Sequence, residues 1–144
     1  EPHMVKLASE YEDMSIEQLP AYAINRLYNR CQSCHSLDGS DNTGPTFKGL
    51  WDRTKNGVTA FTSGEKLSSL IGEGTDYVQP ENYLRESILN PQKHIVQGYL
   101  GAMPSFQGQL KEKQITAMIE MLKKLDELTD AEGNIIVNAD GTPM

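Results

Sequence analysis

The chain has no apolar run approaching the roughly 20 residues that a helical membrane span needs, so none is expected. It is also short of material for a core: hydrophobic residues make up 38% of its 144 positions and aromatics only 7%. Basic residues are outnumbered, 13 Lys and Arg against 20 Asp and Glu, leaving a net charge of −7. That balance argues against nucleic acid or an anionic membrane surface as the main partner. The N-terminus has neither the basic start nor the apolar stretch of a signal peptide. There is no internal repeat and no domain linker, and the length suits one domain. Soft metal ligands are few, with two cysteines and three histidines.

Both cysteines lie in one stretch, Cys31-Gln32-Ser33-Cys34-His35. Two thiols two residues apart, followed at once by histidine, form the pattern for covalent attachment of a c-type haem. On a curled helix end both sulfurs face the vinyl groups of one porphyrin edge. His35 then lies under the ring as an axial ligand of the iron. Two other readings of C-x-x-C compete. A zinc site needs about four ligands, and only His3 and His94 remain to complete one. A redox dithiol of the thioredoxin kind wants a βαβ pattern around the motif, and none is seen. A buried haem would also supply the apolar centre that the composition lacks. Haem is attached to such motifs outside the cytoplasm in bacteria. The chain is therefore expected to be a processed or recombinant piece of an exported protein, in the periplasm or on the outer face of the cytoplasmic membrane. His3-Met4 has the look of a cloning scar, and residues 1–4 are set aside.

The chain divides into a lead-in over 1–19, a main domain over 20–125 and an extension over 126–144. Ser15-x-x-Gln18 resembles a capping box. Pro20 suits a first helical turn, and Ile24, Leu27, Tyr28 and Cys31 share one face, predicting a helix over about Pro20 to Arg30. That face delivers Cys31 to the haem edge. Ser36 to Pro45 is a loop by composition. Within it the Pro45 carbonyl is expected to accept the second ring proton of His35, fixing its tautomer and orientation. Phe47 and Leu50 look like haem-wall residues. Trp51 either packs beside the ring or fills core. Arg53 either holds a haem propionate, as guanidinium does bidentately, or forms an exposed salt bridge.

Residues 54–63 read as a hairpin or irregular loop, and Glu65 to Ile71 as a short helix. Pro80 to Leu89 reads as a further helix, stopped by Pro91. Gly101-Ala102-Met103-Pro104-Ser105-Phe106 is a loop that presents a methionine. Opposite His35 its thioether would favour reduced iron and raise the potential. Met118 and Met121 sit in a periodic helix and belong to packing. Met4, Met14 and Met144 lie near the termini. Met103 is thus the expected second metal ligand, and His94 its main rival in a partly unfolded or alkaline form. Leu110, Ile115, Met118, Ile119, Leu122 and Leu125 form an apolar stripe along a helix over Gln109 to Leu125, expected to cross the first one. Asn134 to Asn138 suggests a short strand and Asp140-Gly141 a turn.

Over about residues 20–125 the chain resembles class I cytochrome c. The motifs that carry the resemblance are Cys31-x-x-Cys34-His35, Gly44-Pro45, Gly49-Leu50, Asn90-Pro91 and Met103-Pro104 with Phe106, closed by the C-terminal amphipathic helix. Gly44 to Leu50, Tyr83 to Pro91 and Met103 to Phe106 look more narrowly like the cytochrome c domain of subunit II of caa-type haem-copper oxygen reductases. The resemblance implies an all-α fold of crossed terminal helices with shorter helices and loops around one covalent haem c, Phe106 being added to the cofactor-binding set. A small β element would fall in an insertion or the tail. It also implies one-electron transfer from a soluble cytochrome or iron-sulfur carrier to a dinuclear copper centre. Such a domain is no enzyme on its own, is monomeric when isolated, and meets a membrane only through its parent complex. The sequence departs from the family in a long connection over 54–79, in its tail, in Ala23 where a Gly is common, and in Ser87 where a Tyr often supports the methionine sulfur. Three other readings remain: a freestanding periplasmic carrier, a peroxidase-like or gas-binding haem protein with an open sixth position, and a haem-free module with C-x-x-C as a disulfide.

Overall fold

A computed structural model describes residues 10–144. Among them are five α-helices and no sheet, so the fold is small and all-α. They are α1 (Leu19–Arg26), α2 (Leu50–Lys55), α3 (Pro80–Leu89), α4 (Glu112–Lys123) and α5 (Leu125–Leu128). No described helix is long and apolar enough to cross a membrane. The first part of the lead-in, through residue 9, lies outside the described residues, as do His3 and Met4.

α1 starts with Pro20 in its first turn, where a missing N–H costs nothing. It stops four residues before the expected end. Tyr28–Arg30 then tighten into a 3₁₀ turn that runs into the cysteine motif. The principal helix pair is α1 with α4. Ala23 and Ala117 are wholly buried, which lets backbones approach closely, and Ile115, Met118, Met121 and Leu122 complete the apolar face of α4. α3 matches its expected span and packs on α4. An Arg85–Glu112 ion pair adds a surface tie, of a kind that contributes little by itself.

Three further segments differ from expectation. Glu65 to Ile71 is not a helix; only Leu67–Ser69 turn, as 3₁₀. The Leu67 amide donates to the Thr59 carbonyl and the Ser68 amide to that of Gly57, so neither is free for a helical ladder. At the other end the main helix is shorter, Glu112–Lys123, and the tail opens with the helical turn α5. Asn134 to Asn138 forms no strand; single bridges join Thr129 to Ile135 and Val137 to Pro143. The tail nevertheless belongs to the same body. Ile135 and Val137 pack on the core, and the Asn25 side chain donates to the Val137 carbonyl at 3.0 Å.

Candidate functional site

The cysteine motif continues the curl begun at Tyr28. The Gln32 amide donates to the Tyr28 carbonyl, and the His35 amide to that of Cys31 at 2.9 Å. Cys31 and Cys34 thereby come to one wall of a cleft whose empty volume, solvent at its mouth included, is about 1440 Å³. The two thiols are not joined to each other. Burial pushes the Cys31 thiol up to about 11. A reactive dithiol needs the opposite, a thiolate favoured near neutral pH. No three described His, Cys, Asp or Glu residues are grouped so as to hold a metal ion, and His3 lies outside the described residues.

His35 is fixed from four sides. Its Nδ1 lies 2.7 Å from the Pro45 carbonyl, as expected from the sequence. Its ring stacks on Phe47, with centroids 4.6 Å apart and planes 12° from parallel. Tyr28 backs Phe47 in turn and donates its hydroxyl to the His35 carbonyl at 2.6 Å. Gly44 closes the remaining side: a Cβ there would stand 2.8 Å from Nδ1. Burial holds the imidazole below its ordinary range, partly opposed by the Pro45 bond. The neutral ring with its proton on Nδ1 keeps a lone pair on Nε2, the form a metal ligand requires.

The loop that carries Met103 lines the same cleft. It is tied on both flanks. The Gln92 side chain donates to the Gly101 carbonyl at 2.5 Å. Ser105 donates its hydroxyl to Leu89, and the Phe106 amide donates to Ile88, both on α3. Pro45, Phe47, Leu50, Arg53, Phe106 and the rival His94 also line the cleft. Trp51 does not. On the short helix α2, Leu50 and Arg53 take the cleft side, and the Trp51 ring turns to a neighbouring side beneath the ammonium groups of Lys123 and Lys55, 5.2 and 5.7 Å from its centre. Arg53 spends its guanidinium on the carbonyls of Thr46 and Lys48, at 2.7 and 2.8 Å. It thus braces the loop after Pro45, and no described carboxylate pairs with it.

On the α3 wall of the cleft the sequence reading singles out only Ser87. Tyr83, Leu84, Ser87 and Ile88 present the buried side of α3 to the cleft, joined by Ile95 and Tyr99 from the following loop. The spacing of the four α3 residues marked a helix face, but nothing local says what that face adjoins. Burial drives the Tyr83 hydroxyl up to about 12, although the Ser87 hydroxyl opposes it, so Tyr83 stays neutral on the cleft wall. Met118, expected in packing, is buried and also reaches the cleft.

These features fit a haem. The cleft is walled largely by apolar side chains, has two thiols at one wall, holds a neutral imidazole by its Nδ1, and has the Met103 thioether in its lining. No protein-family model matches the chain.

Proposed function

We propose that the chain is a one-electron transfer domain of the class I cytochrome c kind. One haem c would be bound through Cys31 and Cys34, and His35 and Met103 would hold its iron. The observation that carries this reading is His35 itself, held at Nδ1 by the Pro45 carbonyl and stacked on Phe47 in a cleft shared with both cysteines and Met103. Bound there, haem supplies a reversible one-electron iron couple.

The chain's own groups account for what an electron carrier needs. Pro45 holds a proton on Nδ1 of His35 and keeps Nε2 available. Phe47 and Gly44 restrict the imidazole to one orientation, so little has to move when charge changes. The ties from Gln92 and Ser105 restrain the loop of Met103 in the same way. Leu50, Phe106, Leu84 and Ile88 give the cleft an apolar lining, and a neutral thioether in an apolar surrounding favours the reduced state. With His35 and Met103 both holding the iron, no site would be left open for a substrate, which favours electron transfer over a peroxidase-like or gas-binding role.

The parent we propose is subunit II of a caa-type haem-copper oxidase, on the strength of the motifs around Gly44, Tyr83 and Met103. The domain would take electrons from a soluble cytochrome or iron-sulfur carrier and pass them to a dinuclear copper centre, on the periplasmic side.

The test is the optical spectrum of the protein and of Met103→Ala, oxidised and reduced, after expression with c-type maturation machinery. The parent is expected to be low-spin with the weak red sulfur-to-iron band. Met103→Ala is expected to lose that band and to bind carbon monoxide when reduced. An unchanged spectrum would remove Met103 from the ligand set.

A further inference from the structure

The excursion over residues 58–79 has no part in the reading above, yet it grips the loop on which that reading depends. The Thr62 amide donates to the Ile95 carbonyl at 2.8 Å, and the Gln97 amide donates to the Ala60 carbonyl at 2.9 Å. Phe61 and Val96 form an antiparallel bridge between them. Phe61 is 1% exposed and is the wedge of this junction. Its ring meets Tyr83 on α3, centroids 5.7 Å apart, and His94 at 5.0 Å. The excursion is itself anchored, with Leu67 and Tyr77 buried and Leu67 tied back to Thr59. Ile95 carries the contact forward. Its Cδ1 would lie 2.7 Å from a Cβ at Gly101, two residues before Met103.

The same junction encloses His94. Its ring lies against Phe61 and edge-on to Tyr77, at 5.9 Å. Its Nε2 is buried and makes no hydrogen bond among the described residues. A buried imidazole nitrogen with no partner has no hydrogen bond to give up on ligation, which it performs as the Nδ1–H tautomer, and His94 lines the same cleft as Met103. The backbone bonds on either side of Phe61 hold His94 and the base of the Met103 loop together.

We propose that the 58–79 excursion is a ligand-selecting brace. With Phe61 as its wedge it keeps the Met103 loop closed and keeps the His94 imidazole from replacing the thioether. The proposal rests on the His35/Met103 reading. When the brace is loosened, the bond from the Met103 sulfur to iron breaks and one from His94 Nε2 forms, with no change in electron count.

The experiment compares the holoprotein with Phe61→Leu, Phe61→Ala and Phe61→Ala/His94→Gln. Three readouts are taken: the red sulfur-to-iron band, the electron spin resonance spectrum of the oxidised form, and the rate of carbon monoxide binding to the reduced form. Phe61→Ala is expected to bind carbon monoxide at least tenfold faster and to show a low-spin signal of two imidazole ligands that His94→Gln removes. Phe61→Leu, which keeps most of the wedge, is expected to fall between parent and Ala. It also serves as the test if the Ala variant fails to fold. Phe61 variants with helical content, red band and binding rate all as in the parent would overturn the brace while leaving Met103 as ligand. Faster binding with no His94-dependent signal would overturn the role of His94. A parent without the red band would fail the underlying reading instead, and Met103→Ala reports on that separately.

Discussion

His35 shows how few contacts are needed to prepare a side chain. One carbonyl, one aromatic face and one missing Cβ set its proton, its plane and its depth. The Pro45 contact was legible because Pro offers a carbonyl without a competing N–H and lies ten residues from the histidine. The Phe47 stack and the Tyr28 bond were not, because they need the loop to double back. Gly44 is the sharpest test at this scale. Gly44→Ala would push a methyl into the ring, and overpacking of this sort costs about 1–3 kcal/mol. Its urea midpoint is expected to fall accordingly, and the haem bound per chain, read by absorbance, to drop below that of the parent.

Among the elements, the long periodic ones were readable and the short ones were not. α3 and most of α4 follow from apolar spacing and from Pro80, which opens α3, and Pro91 beyond its end. Glu65 to Ile71 carries a similar spacing, yet its amides are taken by Thr59 and Gly57. A single turn has too few internal bonds to resist such competition. The α1–α4 contact depends instead on size. Ala23 is wholly buried in the core, so Ala23→Leu has no room to expand into and is expected to lower the unfolding free energy by about 1–3 kcal/mol. Denaturant titration measures this, and helical content before the transition should stay as in the parent.

At the scale of the whole molecule the tail closes the structure onto the loop after His35. Gly133 lies so near Asp38 that a Cβ would stand 2.9 Å from its Cα, and Asn25 holds Val137. The turn that shapes this clasp is built on Asp130, whose carboxylate accepts from the amides of Glu132 and Asn134 at 2.9 Å and from the Asn134 side chain at 3.1 Å. The Asn134 bonds, backbone first, hold that carboxyl below the usual Asp range. A group depressed on folding stabilises above its unfolded value and loses that contribution as pH falls through its folded value. Acidification below about pH 4 is therefore expected to loosen the tail. Amide protection factors at Gly133 and Asn134, measured by exchange, should fall there, and Asp130→Ala should reproduce the loss at neutral pH.

The sequence by itself determined what is local: the motif of Cys31, Cys34 and His35, the helices with clear period, and Met103 as the one methionine in a mid-chain loop. Bond lengths and helical repeat act over a few residues, so these features need no distant partner. Only the tertiary structure decided the rest. It turned the α3 face to the cleft and Trp51 away from it, and it set Arg53 on backbone carbonyls. It also clamped the 58–79 excursion onto the segment before Met103. Each of these joins residues far apart in the chain, where packing and hydrogen-bond competition, rather than spacing, choose the neighbour.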